Sequence, residues 1–381
     1  MFPKWFSQWN RENPVDIYKP VVIFGAIGGA VVAAAVLVSW GTPYRVEAVQ
    51  TGPPGIGMMV ADFDFRGPDP TLAEYYTEAP YPPEPGEPLA GEVYENVQVL
   101  GAVTEANFLR VMNAITQWVS PEQGCAYCHA QADEGLYADD NLYTKVVSRR
   151  MIQMTQTIND EWSGHVNYNA EVGVNCYSCH RGQPVPTEIW FRIDPAVDVM
   201  EGWGGVQNRV TAQSQFTSLP SDALYRYLYE DARISVHDLE SRVGDWPSDP
   251  DSPTWQDTER TFSLMNYFSN SLGVNCVFCH NSRAFYDPSQ YTPQWANASL
   301  AIEMVRDLNT IYLEPLVDVY PPVRLGPIYA DAPKAACKTC HKGYHKPMQG
   351  LNAIADWPEL AAPGVPDYSA FLVEETAAVV R

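Results

Sequence analysis

Every cysteine in this chain belongs to one pattern. The eight cysteines fall into four Cys-x-x-Cys-His units: Cys125-Ala-Tyr-Cys128-His129, Cys176-Tyr-Ser-Cys179-His180, Cys276-Val-Phe-Cys279-His280 and Cys337-Lys-Thr-Cys340-His341. The pattern is that of c-type haem attachment. Two thiols add to the two vinyl groups on one edge of a porphyrin, and the adjacent imidazole falls beneath the iron as its proximal ligand. Zinc ribbons also use paired Cys-x-x-Cys units, but need no histidine after each pair. Structural disulfides do not call for a fourfold regular spacing. The residues therefore predict four covalently bound haem c groups and one-electron chemistry, with no bond chemistry on a substrate.

The sixth position on each iron needs its own donor. Of seven histidines, four are proximal, and only His165, His237 and His345 remain. At least one iron must take another ligand, and methionine is the usual one; it raises the potential. Helix-like stretches containing methionine precede the attachment units. Residues 105–120 carry Met112 with Phe108, Ile115 and Val119 at helical spacing; 143–162 carry Met151 and Met154; 257–272 carry Phe262, Met265, Phe268 and Leu272; and 295–313 carry Met304. A single methionine on such a stripe is most often core. The recurrence of helix, methionine, loop and attachment unit favours ligation for the set.

The elements that must position these residues form an internal repeat. The units begin at 125, 176, 276 and 337, so two close pairs flank a longer interval rich in Gly, Pro and Asp. The expected fold is mostly α with extensive irregular chain, in keeping with 32 prolines. It is built of two pseudo-symmetric two-haem halves, 101–190 and 256–350, joined by a connecting segment, 191–255. An irregular extended segment (41–100) and a C-terminal tail (351–381) flank them. Residues 21–40, VVIFGAIGGAVVAAAVLVSW, contain no charge and suit one N-terminal transmembrane helix. Lys4, Arg11 and Lys19 place segment 1–20 in the cytoplasm. The bulk of the chain is then expected in the periplasm, held to the inner membrane by a single pass. Trp5, Trp9, Tyr18 and Trp40 could anchor the two interfaces. The run is long for a cleaved signal, and no cysteine lies near its end to carry a lipid. A formal charge of −22 argues against nucleic acid and favours a basic protein partner.

At this point the chain resembles the tetrahaem cytochrome subunit of the purple-bacterial photosynthetic reaction centre, from about Gly91 to Gly350. The resemblance is carried by Phe-Leu-Arg-Val-Met112, Val-Ser-Pro121, Arg149-Arg150-Met151, Gly173-Val-Asn-Cys176, Cys179-His180-Arg181-Gly182, Phe-Ser-Leu-Met265-Asn and Met304-Val-Arg306-Asp307-Leu-Asn309. It implies an electron carrier that re-reduces the photo-oxidised bacteriochlorophyll pair. Its partners would be the reaction-centre L, M and H subunits, light-harvesting subunits and membrane lipid. The donor would be a soluble basic c-type cytochrome or a high-potential iron–sulfur protein. It implies axial pairs Met112 with His129, Met151 with His180, Met265 with His280, and His165 with His341. The last pair borrows its distal histidine from the stretch before the second unit, and Met304 is then packing. Asn167-Tyr168-Asn169 resembles an insertion; were it none, Met154 would replace Met151. His345, close after the fourth unit, has no counterpart the family requires and is a weaker rival of His165. Many relatives carry a lipid-anchored cysteine that this chain lacks. A multihaem quinol dehydrogenase would need more histidines, and a multihaem reductase would keep one iron open.

Charge is uneven along the chain. Glu122, Asp133, Glu134, Asp139 and Asp140 surround the first unit, with no Lys or Arg between Pro121 and Thr144. Lys334, Lys338, Lys342 and Lys346 surround the fourth. The expectation is a bipolar molecule whose acidic mouth at haem one steers a basic donor. By the resemblance, haem one is the membrane-distal entry and haem three lies nearest the chlorophyll pair.

Overall fold

The uncharged N-terminal run folds as the longest helix among the described residues. The computed structural model describes residues 3–12, 18–40, 46–50, 59–63, 69–130, 137–168, 171–193, 205–237 and 253–372. Two compact units are formed, Met1–Ala48 with Ala61–Gly67, and Val49–Val60 with Pro68–Arg381. The first contains helices α1 (Lys4–Glu12) and α2 (Tyr18–Trp40). The 23 residues of α2 make a rod of about 34 Å. Phe24, Ile27, Val31, Val32, Leu37 and Val38 on it are exposed. Its side chains are described only over 24–39, and among the described residues no helix is long and apolar enough to cross a membrane. Strands β1 (Val46–Gln50) and β2 (Met59–Phe63) pair as a two-stranded sheet.

The second unit is helices set in irregular chain: α3 (Ala90–Val93), α4 (Glu105–Val119), α5 (Tyr143–Asp160), α6 (Ser163–Val166), α7 (Cys176–His180), α8 (Ala223–Leu228), α9 (Trp255–Leu272), α10 (Pro293–Asp307) and α11 (Cys337–His341). The methionine-bearing stripes are thus helical, as their spacing predicts. Local chemistry fixes their ends. Thr254 and Asp257 form a reciprocal capping box at the start of α9, and Gly273 (φ 68°) ends it in the left-handed conformation. Pro293 opens α10, where its missing N–H is not needed. A π turn, Leu308–Leu313, continues α10.

Two apolar cores hold the unit. One gathers Leu224, Tyr227 and Leu228 with Leu264, Tyr267, Met304, Leu308, Ile158, Val174 and Ala336. The other gathers Val111, Ala114 and Trp118 with Ile152, Tyr177, Met348, Trp357 and Leu360. Helix α5 contributes to both, so the two pairs of attachment units share one body. The connecting segment and the C-terminal tail both contribute to these cores. The 191–255 interval supplies the buried face of α8, and in the C-terminal stretch Ala353, Trp357 and Leu360 are fully buried. Both are short apolar clusters between prolines, with no period long enough to announce an element.

Candidate functional site

The four attachment units adopt two geometries, and one residue type separates them. In the second and fourth units the residue after the first x is a hydroxyl, Ser178 or Thr339. The N–H of Asn175 donates to Ser178 Oγ (3.1 Å) and that of Ala336 to Thr339 Oγ1 (3.0 Å). This nucleates the one-turn helices α7 and α11. Each ends in a left-handed cation, Arg181 or Lys342 (φ 51° in both). The following glycine N–H is anchored on the end of a longer helix: Gly182 on Trp118 O of α4 and Gly343 on Ser271 O of α9, both 2.8 Å. In the first and third units Tyr127 and Phe278 replace the hydroxyl, and Gly124–Tyr127 and Cys276–Phe278 are 3-10 turns. Helices α7 and α11 pack together, bringing Cys179 Sγ and Cys340 Sγ to 2.7 Å. No cysteine is in a disulfide.

The histidines are set up to bind a metal through Nε2. His129 Nδ1 donates to Tyr137 O (3.1 Å), His180 Nδ1 to Gln183 O (2.8 Å) and His341 Nδ1 to Tyr344 O (3.0 Å). A proton fixed on Nδ1 leaves the Nε2 lone pair free, as in histidines that ligate a metal. His280 Nδ1 is buried without a hydrogen-bond partner, and its ring lies against Tyr291 at 4.7 Å. Burial pushes the imidazoles of His180 and His341 down to about 4, which keeps them neutral at neutral pH, the form that binds metal. The fold also brings His165 of α6 to His341, with ring centroids 6.3 Å apart. His165 Nδ1 donates to Asn297 Oδ1 (3.0 Å), leaving its Nε2 free as well. Metal–nitrogen bonds of ~2 Å on both sides of one metal place ring centroids ~6 Å apart, so this pair fits a single iron. The thiols, proximal imidazoles and this spacing together fit covalent haem.

The methionines stand on the helices expected of them. Met112 is half-buried on α4 beside the second core, and Met265 on α9 beside the first. On α5, Met151 is half-buried and Met154 packs against the first core. Met304 is buried in that core. His345 lies against Phe278 of the third unit, centroids 5.9 Å apart, and His237 Nδ1 lies 2.7 Å from Thr258 Oγ1.

Sequence reading missed the clamp that fixes α4. Arg110 and Glu359 form an ion pair of 2.6 Å with both side chains 0% exposed. Arg110 also donates to Asn107 Oδ1 (3.1 Å), Glu78 O (2.6 Å) and Asp356 O (2.8 Å), and it stacks over Trp357 at 4.2 Å. Tyr368 OH donates to Glu359 Oε1 (2.9 Å). An arginine two residues before a methionine in an apolar stripe was the available signal.

The charges divide differently from their linear order. Glu122 and Asp139 are exposed, and Asp133 and Glu134 lie outside the described residues. Asp140 is tied into the fold: Arg149 grips it through two nitrogens (2.7 and 2.8 Å), with Asn96 Nδ2 at 3.0 Å and Lys145 Nζ at 3.2 Å. Arg149, first among these partners, holds its carboxyl well below the usual range. The lysines around the fourth unit do not form one solvated face. Lys334 is buried, 2.7 Å from Asp331 Oδ2 and 3.0 Å from Glu314 Oε2. Lys338 pairs with Glu188 (3.0 Å) and Lys342 donates to Thr187 Oγ1 (2.9 Å).

Residues 41–361 match the model of the family described as photosynthetic reaction centre cytochrome C subunit. The chain is 64% identical to the photosynthetic reaction center cytochrome c subunit of Roseobacter denitrificans, over 97% of this chain and 100% of that one. It is 40% identical to the protein of the same name from Rubrivivax gelatinosus, over 87% of each chain. To that of Thermochromatium tepidum it is 43% identical, over 72% of this chain and 65% of the relative.

Proposed function

The chain belongs to the family of photosynthetic reaction centre cytochrome c subunits, and from that premise we propose that it carries four haem c groups on the residues described above. It is an electron carrier of a membrane-associated reaction centre rather than an enzyme, and haem c is its covalently bound cofactor. When bound, the haems supply reversible one-electron chemistry.

The eight cysteines hold the groups, and His129, His180, His280 and His341 are the proximal ligands. Met112, Met151 and Met265 are the sixth ligands of the first three irons and His165 that of the fourth. The observation that carries this reading is the His165–His341 pair, 6.3 Å apart with both Nδ1 atoms bonded elsewhere. Two pseudo-symmetric halves are supported by matched contacts: α4 anchors the turn after the second unit through Gly182, and α9 that after the fourth through Gly343. The protein's part is to fix ligand identity, imidazole tautomer and burial, which set each potential.

Helix α2 is the single-pass anchor. The uncharged run 21–40 and the apolar side chains that α2 exposes support this, because such a surface needs lipid or protein to cover it. The bulk of the chain then lies in the periplasm, beside the L, M and H subunits. Electrons arrive from a soluble basic donor and are delivered to the oxidised bacteriochlorophyll pair. Glu122 and Asp139 are exposed acids beside the first unit and are the docking candidates; Asp140 serves the fold.

Redox titration of His165→Met in the complex tests the ligand set. One midpoint should rise and three should hold. Four unchanged midpoints would remove His165 from the site.

A further inference from the structure

We propose that α10 and its π turn form a spacer that sets the His165–His341 pair, with Asn297 and Asn309 as positioning residues at its two ends. This rests on the reading of those histidines as the ligands of one iron. Near its N-terminal end, the spacer touches the distal ligand. Asn297 Oδ1 accepts the Nδ1 proton of His165 (3.0 Å), which fixes the tautomer and the rotation of the ring. The backbone beside it is held too: a Cβ on Gly164 would come within 3.1 Å of Leu300 Cδ2, so α6 lies directly on α10.

Beyond the other end, the spacer grips the proximal unit. Asn309, in the π turn, is fully buried. The N–H of Ala335 donates to its Oδ1 (2.8 Å), and its Nδ2 donates to Ala335 O (3.0 Å) and Leu228 O (2.9 Å). Ala335 lies two residues before Cys337, so this carboxamide fixes the entry of the segment that ends in His341. One continuous element, 293–313, therefore holds both imidazoles. Single-turn π geometry in a helix is uncommon and concentrates at functional sites; here it places Asn309.

The grip recurs where the second unit needs it. Asn159 of α5 takes the N–H of Val174 (2.8 Å) and donates to Val174 O and Leu360 O (2.8 Å each). Val174 also lies two residues before its cysteine, Cys176. The same three bonds at the same offset, from a helix carrying a proposed distal ligand, mark a device and not an incidental core amide.

Asn297 acts on the iron through His165. An acceptor on Nδ1 makes Nε2 more basic and favours the oxidised metal. The test is redox titration with low-spin electron paramagnetic resonance on membranes carrying the full complex. Asn297→Leu should shift the reduction equilibrium of the fourth haem about 3–10-fold toward the reduced form, up to ~59 mV for one electron. Asn297→Asp, a stronger acceptor, should shift it the opposite way. The other three midpoints should hold, and the low-spin signal of the fourth haem should move in both variants. Opposite signs are what a merely structural asparagine would not give. Asn309→Leu should broaden that signal or lower its low-spin fraction, with covalent haem content unchanged by mass. His165→Met separates the two claims. If it moves one midpoint and neither Asn297 variant does, the spacer is wrong and the ligand reading stands. If His165→Met moves nothing, the ligand reading itself has failed.

Discussion

Replacing Arg110 by Met should loosen the helix that presents Met112. The change removes four donated hydrogen bonds and the partner of a carboxylate that is 0% exposed. Breaking a buried pair from one side costs about 3–5 kcal/mol, because the remaining charge is uncompensated. Among the described residues, Glu359 then keeps the Tyr368 hydroxyl (2.9 Å) as its side-chain partner. Hydrogen exchange reads this locally, with no need for reversible global unfolding. Protection in α4 and in 353–361 should fall about 10²–10⁴-fold at roughly 1.4 kcal/mol per decade. Glu359→Gln should cost less, since its carbonyl still accepts from Arg110. In the double variant the two effects should fall short of their sum by about 1–3 kcal/mol. Because Met112 lies two residues from Arg110, the first haem should lose low-spin character in Arg110→Met while the third does not. Additive effects within ~0.5 kcal/mol, or an unchanged first haem, would refute the clamp.

Met112→His, Met151→His and Met265→His should each lower one midpoint, measured by optical redox titration; a lowered midpoint in Met154→His with none in Met151→His would reassign the second haem. Glu122→Lys with Asp139→Lys should slow second-order reduction by a basic donor about threefold to tenfold at low salt and flatten its ionic-strength dependence. Asp249→Lys with Asp251→Lys should do much less, and an equal effect would point to overall charge instead of a docking site. N-terminal sequencing of the mature subunit should find residues before Val21, and a start near Gly41 would remove α2 as the anchor.

The attachment units and the helices around them were legible because their signals are local. Cys-x-x-Cys-His is a covalent requirement, and the stripes around Met112, Met151 and Met265 have helical spacing over several turns. The His165–His341 approach was available only through family resemblance, since no periodicity links residues so far apart. The split between α-helical and 3-10 units was written in Ser178 and Thr339 against Tyr127 and Phe278, yet it needs the bonds to be seen before the pattern has meaning. The carboxamide grips of Asn159 and Asn309, and the Arg110–Glu359 pair, join distant segments through single polar residues, which composition cannot distinguish from surface. Asp140 and Lys334 illustrate the converse. Both read as members of charged faces by sequence proximity, and their partners, Arg149 and Asp331 with Glu314, place them inside networks.

The function of this chain is to deliver electrons through its haems to the reaction centre. A single-turnover flash on the purified complex, with the haems reduced beforehand, tests it most directly. A haem α-band should bleach with the same time course as re-reduction of the bacteriochlorophyll pair. Re-reduction of the pair with every haem band unchanged would contradict it.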